Sequence, residues 1–224
     1  MLRRARAFGG VHEVSLLTAP EVRAMLVHVA RRMEESESLL TDADRATGDG
    51  DHGIGMARGF AAVRRELEDG PAGMIGELFD ATGRTVLTSV GGASGILFGM
   101  FFRGGAAALG DRETFDADAL RVFLKEGTAE VVQRGKAAPG DKTMVDALVP
   151  AAEAVAATRE DSLAGLLAAA SEAARRGAEE TKGMVARTGK ARSLGERSLG
   201  HPDPGALSAS LILGAMADFV TGRA

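Results

Sequence analysis

Apolar residues recur along this chain at the spacing of an amphipathic helix, and no segment sustains the polar and apolar alternation of a half-buried strand. The clearest case begins at Thr18, where Pro20 and Glu21 complete a helix-capping pattern with proline in the first turn. The apolar stripe that follows consists of Val22, Met25, Leu26, Val29 and Met33. Because this pattern repeats to the C-terminus, the sequence predicts an all-α protein.

Eight helices are predicted, and most of the connections between them are short. Their approximate ranges are 20–40, 53–69, 72–90, 95–109, 116–134, 143–157, 163–186 and 204 onward. Short connections place successive helices antiparallel, which predicts an eight-helix up-and-down barrel or bundle. Residues 18–224 show no linker or shift in composition, so we expect one domain there, preceded by a flexible extension over residues 1–17.

Composition excludes several classes of partner and site. The formal net charge of −4 gives no electrostatic reason to expect nucleic-acid binding. The longest apolar run, residues 95–102, is too short to span a bilayer, and His12 and Glu13 interrupt the apolar region that a signal peptide needs. The chain has no cysteine, which excludes disulfides and thiolate metal sites. We therefore expect a cytoplasmic protein with neither a nucleic acid nor a membrane as its partner.

The stretch 44–53 (DRATGDGDHG) holds three carboxylates, at Asp44, Asp49 and Asp51, among three glycines. At an effective dielectric constant of about 20, two carboxylates 4 Å apart repel by roughly 4 kcal/mol, so a compact loop of this kind favours a counter-cation. The spacing does not fit a calcium-binding EF-hand, because Thr47 and Gly53 stand where that loop needs glycine and glutamate. A fully solvated acidic loop is the alternative to a hard divalent cation.

Counting helices places the unusual loops together. The acidic loop, the glycine loop 91–95 (GGASG), the loop 135–143 and the segment 187–205 all follow odd-numbered helices, so all four are expected at the same end of the assembly. The glycine loop leads into a helix N-terminus, where free amides and the helix dipole bind phosphate. Lys142, Lys190, Arg192 and Arg197 add positive charge there. This combination indicates a Mg²⁺-nucleotide site, although the loop before Lys142 fails as a Walker A motif because Asp141 is inserted and a helix precedes it.

Four motifs occur in order: 48–53 (GDGDHG), 91–95 (GGASG), 140–144 (GDKTM) with Asp146, and 194–206 (LGERSLGHPDPGA). Together they resemble the nucleotide-binding L subunit of dihydroxyacetone kinases, and the resemblance covers nearly the whole chain after residue 17. It implies an eight-helix barrel that binds ADP or ATP with two Mg²⁺ ions at one end. It also implies that Asp44, Asp49 and Asp51 are the metal ligands, which leaves Asp42 out.

The resemblance also implies which residues contact the nucleotide. They are His52, Gly53, Ile54, Gly55, Ala93, Ser94, Gly135, Met144, Asp203, Pro204 and Gly205. Lys190 stands where the family commonly has a nucleotide-contacting arginine, so either Lys190 or Arg192 is expected to take that role. At position 55 this chain has glycine where the family often has asparagine. Beyond the metal ligands, no catalytic group is expected on this chain.

In this family a separate K-type domain or subunit holds the ketose, so this chain is expected to act only with such a partner. It would be one subunit of a kinase for dihydroxyacetone or a similar small ketose. The phosphoryl donor is expected to be a phosphotransferase-system protein that rephosphorylates bound ADP, a reading that the length of the chain favours slightly. Two alternatives stay open, exchangeable ATP and a non-catalytic nucleotide-sensing subunit. A homodimer is also left open.

Overall fold

The computed structural model describes residues 14–70 and 73–222. Within those residues the chain forms nine α-helices, two 3-10 helices and one pair of short strands, so the predicted all-α class is confirmed. The helices are α1 (Ala19–Glu35), α2 (Glu37–Thr47), α3 (His52–Asp69), α4 (Ile75–Ser89), α5 (Gly92–Leu109), α6 (Ala117–Gly135), α7 (Val145–Ala157), α8 (Leu163–Glu180) and α9 (Pro204–Thr221). The 3-10 helices are Thr181–Gly183 and Lys190–Ser198.

Eight of the helices close into a ring. Each packs against its neighbours in the order α1, α3, α4, α5, α6, α7, α8, α9, and α9 returns to α1. The remaining helix, α2, lies against α3 outside this ring. The core is rich in phenylalanine, and the rings of Phe79 and Phe123 are 4.5 Å apart. The barrel predicted from the sequence is therefore present, with one additional helix.

The additional helix arises because the predicted first helix, 20–40, breaks at Ser36. Ser36 has backbone angles of φ −89° and ψ 6°, and its hydroxyl donates to the carbonyl of Arg32 at 2.7 Å. A serine that bonds to the preceding turn offers the backbone an alternative to continuing the helix. The chain therefore starts again as α2, and Asp44 lies inside that helix, whereas the sequence analysis placed it in a loop.

A two-stranded antiparallel sheet was not predicted. β1 (Leu16–Thr18) pairs with β2 (Thr114–Asp116), and Leu17 is opposite Phe115. Both side chains are buried, so the pair covers part of the core. Residues 16 and 17 therefore belong to the folded protein, which corrects our inclusion of them in a flexible extension; residues 1–13 of that extension lie outside the described residues.

Two of the described helices, α5 and α9, are long and apolar enough to cross a membrane by length and composition alone. In the barrel, α5 packs between α4 and α6, and α9 packs between α8 and α1. Three buried phenylalanines of α5, Phe98, Phe101 and Phe102, contribute to the core. Core packing thus accounts for the apolar composition of both helices.

Candidate nucleotide site

A cavity of about 510 Å³ opens at the end of the barrel where α3, α5, α7 and α9 begin. All four loops that follow odd-numbered predicted helices contribute to its wall, as the helix count predicted. Twelve of the sixteen residues predicted to bind metal or nucleotide line it. These are Asp44, Asp51, His52, Ile54, Gly55, Ala93, Ser94, Met144, Lys190, Asp203, Pro204 and Gly205.

The three predicted metal ligands form a cluster beside this cavity. Asp44, Asp49 and Asp51 each offer a carboxylate oxygen, and these oxygens all lie within 4.8 Å of one another. Asp44 is buried near the end of α2, and its Oδ2 accepts a hydrogen bond from the amide of His52 at 3.1 Å. Asp49 and Asp51 are exposed. Carboxylate oxygens in this arrangement suit a hard divalent cation such as Mg²⁺.

Lys190 brings a positive charge to the same cluster. Its ammonium group donates to both carboxylate oxygens of Asp49 at 2.7 Å and lies 3.3 Å from Asp51. The hydrogen bond from Lys190 lowers the pKa of Asp49, and Asp49 in turn raises the pKa of Lys190. An internal cation thus already pairs with the two exposed carboxylates of the cluster. The carboxylate oxygens of the cluster and the positive charge that they require both fit a divalent metal ion.

His52 connects three helices at the cavity wall. Its Nδ1 lies 3.1 Å from the hydroxyl of Ser94 at the start of α5, and its Nε2 lies 2.8 Å from the hydroxyl of Ser208 in α9. Burial lowers the pKa of His52, which favours a neutral imidazole. His52 therefore fixes the position of Ser94 at the helix N-terminus.

The glycine loop before α5 is shaped by positive φ angles and by an arginine. Gly91 and Gly92 have φ angles of 85° and 61°, which lie in the region that favours glycine. Arg58 donates from Nε to the carbonyl of Ser89 at 2.9 Å and from a terminal nitrogen to that of Val90 at 2.8 Å. The loop is thereby held so that the first-turn amides of α5 meet the cavity, an arrangement that suits phosphate.

Two further carboxylates organise the opposite wall. Asp146 accepts hydrogen bonds from the amides of Gly140 and Thr143, which fixes the turn before α7. Asp203 caps α9 by accepting from the amide of Ala206 at 2.7 Å. Burial raises the pKa of Asp203 to about 7, although the hydrogen bond from Ala206 acts in the opposite direction. These contacts fix the turn before α7 and the start of α9.

Four predicted residues do not line the cavity. Asp49 belongs to the carboxylate cluster, in which its carboxylate oxygen lies within 4.8 Å of those of Asp44 and Asp51. Gly53 is buried against α2, where an added Cβ would overlap the carbonyl oxygen of Glu37 and the hydroxyl of Thr41. A Cβ added at Gly135 would lie 3.4 Å from Leu97, which does line the cavity, and Arg192 is exposed outside it. The structure therefore assigns Gly53 to helix packing and favours Lys190 over Arg192 near the carboxylates.

Sequence reasoning did not identify Ser208 or Arg58. Ser208 lies 156 positions from the histidine that it contacts, and Arg58 lies 32 positions from the carbonyl of Val90. Neither residue belongs to a recognisable local motif. The available signal for Ser208 was its position one turn after Pro204, on the buried face of α9.

A larger cavity, of about 630 Å³, lies where α3 and α5 end and α4 begins. Its charged residues include Asp80, which pairs with Arg84 at 2.9 Å and with Arg103 at 3.0 Å. Asp80 thus has two basic partners, and the carboxylate cluster is not among the residues that line this cavity. The smaller cavity is therefore the candidate site.

Comparison with known proteins connects this geometry with a family. The model of the DAK2 domain matches residues 46–218. The ADP-binding subunit DhaL of the PEP-dependent dihydroxyacetone kinase of Escherichia coli K12 is 45% identical over 181 residues, which cover 80% of this chain and 86% of that protein. The L-erythrulose 1-kinase of Mycolicibacterium smegmatis is 35% identical over 206 residues, which cover 91% of this chain and 36% of that protein.

Among solved structures, the dihydroxyacetone kinase from C. freundii in complex with AMP-PNP and Mg²⁺ has a similar fold. The TM-score is 0.69 and the sequence identity is 28%. The match covers 97% of this chain but 37% of the C. freundii chain. The chain thus spans little more than a third of that kinase.

Proposed function

The chain belongs to the DAK2 domain family, and from that membership and its site we propose that it is the nucleotide-binding subunit of a dihydroxyacetone kinase. It is a phosphotransferase subunit that binds ADP or ATP with Mg²⁺ and acts with a K-type partner that holds the ketose. The similarity to an L-erythrulose 1-kinase supports a similar small ketose as the alternative substrate.

The observation that carries this proposal is the position of the carboxylate cluster beside the N-terminus of α5. Asp44, Asp49 and Asp51 would hold the metal, while the first-turn amides of α5 and the hydroxyl of Ser94 would bind the terminal phosphate. Bound Mg²⁺ supplies charge neutralisation for the transferring phosphoryl group. Three carboxylates and a nucleotide carry more negative charge than one divalent ion offsets, which supports two ions.

The remaining residues shape the nucleotide-binding surface. Ile54 and Gly55 lie in the first turn of α3, and Met144 precedes α7 on the other side of the cavity. Asp203, Pro204 and Gly205 provide the start of α9. We assign no nucleophile to this chain, so the phosphoryl group passes directly to the hydroxyl of a ketose held by the partner.

The preferred phosphoryl donor is a protein of the phosphotransferase system that rephosphorylates bound ADP. Sequence similarity supports this choice, because the chain is 45% identical to the ADP-binding subunit of the PEP-dependent kinase of E. coli. Exchangeable ATP is the alternative donor. A non-catalytic nucleotide sensor is a weaker alternative, because sensing alone does not require three metal-binding carboxylates.

The test replaces one carboxylate and leaves the fold intact. Asp49→Asn removes a metal ligand from an exposed position, so we expect transfer to fall on the order of 100-fold with little change in stability. The measurement is ketose phosphorylation by the chain with a K-type partner, using either a phosphotransferase donor or ATP, across a range of Mg²⁺ concentrations.

Asp42→Asn is the matched control. Asp42 is exposed in the same helix as Asp44 and pairs with Arg45 at 3.1 Å, outside the cluster. Its replacement should leave transfer and its Mg²⁺ dependence unchanged. Equal activity of the two variants would contradict the metal assignment, and nucleotide binding without transfer from either donor would favour the sensor.

A further inference from the structure

Lys142 combines a strained backbone with a buried charge. Among residues 14–70 and 73–222, Lys136 and Lys142 are the two non-glycine residues with positive φ, at 52° and 63°. Lys136 is exposed, whereas Lys142 is 2% exposed. Buried lysines are rare unless hydrogen-bond partners satisfy the ammonium group. Residues other than glycine adopt a positive φ only where the surrounding structure requires it. The partners of Lys142 are therefore informative.

The ammonium group of Lys142 joins two distant points of the chain. It donates to the carbonyl of Thr181 at 2.5 Å and to the carbonyl of His201 at 2.6 Å. Two further hydrogen bonds join the same parts of the chain. The amide of Asp203 donates to the hydroxyl of Thr181 at 2.9 Å, and the amide of Gly200 donates to the carbonyl of Lys182 at 2.8 Å. We refer to Lys142, Thr181, His201 and Asp203 as the clasp.

The clasp closes the base of the segment 182–200, which forms part of the cavity wall. Thr188, Gly189, Lys190 and Ala191 of this segment line the cavity, and Lys190 contacts the carboxylate cluster. Much of the segment is exposed, including Arg192, so few buried side chains hold it in place. Polar contacts therefore hold much of the segment: the clasp at its two ends, the amide of Arg187 that donates to the carbonyl of Asp141, and the ion pairs of Lys190.

Neighbouring carboxylates favour the charged form of Lys142 in this setting. Burial lowers the pKa of Lys142, while Asp203 and Asp146 act in the opposite direction. Asp146 also fixes the turn that carries Lys142, through the amides of Gly140 and Thr143. One buried network thus links the turn before α7, the segment 182–200 and the start of α9.

We propose that Lys142 is a positioning residue for the nucleotide, and that its ammonium group holds the segment 182–200 and the start of α9 in the geometry that receives it. This inference rests on the proposed nucleotide function. Lys142 itself lines the cavity, but two of the three N–H groups of its ammonium donate to carbonyl oxygens of the protein. Its main contribution is therefore to position the wall that carries Lys190 and Asp203.

The test is Lys142→Met, which keeps the length of the side chain and removes its hydrogen-bond donors. We expect ADP to bind at least ten-fold more weakly in the presence of Mg²⁺, measured by titration calorimetry below the unfolding temperature. Amide hydrogen exchange over 182–200 should become at least ten-fold faster, with no comparable change in α4 or α5. A role in stability alone would leave the ADP affinity of the folded protein unchanged.

Lys182→Met is the control, because Lys182 is a lysine of the same segment whose ammonium pairs with exposed Glu179. Its ADP affinity should stay within two-fold of the unaltered chain. If Lys142→Met does not fold, Thr181→Val tests the clasp by removing the hydroxyl that receives the amide of Asp203. It should weaken ADP binding and accelerate exchange over 182–200.

The proposed role of Lys142 would be overturned if the variant that folds had the ADP affinity and the amide exchange rates of the unaltered chain. If the unaltered chain itself did not bind ADP, that result would count against the proposed function rather than against the role of Lys142. The two failures are therefore distinguishable.

Discussion

At the scale of single residues, His52 links the carboxylate cluster to the glycine loop. Its amide contacts Asp44, and its ring lies between Ser94 and Ser208. A buried neutral imidazole needs a defined tautomer to place one donor and one acceptor, and the partners of each ring nitrogen determine it. Ser208 is therefore expected to influence Ser94 although it does not line the cavity.

We predict that Ser208→Ala lowers both activity and stability. Ser208 is fully buried, and loss of its hydroxyl leaves Nε2 of His52 with one fewer partner. The expected cost in unfolding free energy is about 1–2 kcal/mol, and transfer should fall because Ser94 is held less firmly. Urea unfolding and the ketose phosphorylation assay measure the two effects.

Ser210→Ala provides the comparison for that variant. Ser210 lies on the same helix, and its hydroxyl donates to the carbonyl of Leu207 within that helix. Its replacement should change the unfolding free energy by less than about 0.5 kcal/mol. Indistinguishable stability and transfer rates for the two serine variants would be incompatible with the role assigned to Ser208.

Sequence reasoning at this scale succeeded where residues are close along the chain. Asp49 and Asp51 are two positions apart, so their shared chemistry is visible in the sequence. The partners of Lys142 lie 39 and 59 positions away, and the contact between His52 and Ser208 spans 156 positions. Such contacts follow from helix packing, which the local pattern does not specify.

At the scale of secondary-structure elements, the presence of α2 is the largest difference from the helices predicted from the sequence. Periodicity predicted one helix to residue 40, because no glycine or proline marks the break at Ser36. The break allows α2 to pack on α3, with Gly53 at the contact. Asp44 is thus carried by a helix whose position depends on close packing at Gly53.

We predict that Gly53→Ala destabilises the protein through this contact. The new methyl group would overlap the backbone of Glu37 and the side chain of Thr41, and overpacking of this kind costs about 1–3 kcal/mol. Displacement of α2 should also move Asp44 and weaken Mg²⁺ binding. Thermal unfolding and metal titration test the two consequences.

Gly183→Ala is a suitable control because nothing lies within 4 Å of the position of its added Cβ. It should preserve stability and metal affinity. If Gly53→Ala is as stable as this control but binds ADP more weakly, then Gly53 contacts the nucleotide directly, as the family resemblance implied, and the packing assignment is wrong.

At the scale of the whole molecule, the order of helices determines where the site lies. Helices α3, α5, α7 and α9 all begin at one end of the closed ring, so their N-termini and the preceding loops meet there. This convergence was predictable from the number of helices alone. The strand pair β1 and β2 was not, because three residues are too few to establish alternation.

Several expectations about the molecule and its surroundings stay predictions. The cytoplasmic location, the homodimer and the identity of the ketose depend on properties other than the fold. The requirement for a K-type partner follows from the proposed mechanism, which assigns this chain the nucleotide and the metal. Its direct consequence is that the metal and the nucleotide must bind together at the carboxylate end of the barrel.

A crystal structure of the chain with ADP and Mn²⁺, using anomalous scattering to locate the metal, tests that consequence most directly. We predict Mn²⁺ bound by oxygens of Asp44, Asp49 and Asp51, the terminal phosphate at the first turn of α5, and Lys190 displaced from Asp49. Metal and nucleotide bound in the larger cavity, or a nucleotide at the predicted end without metal at the three aspartates, would contradict the account.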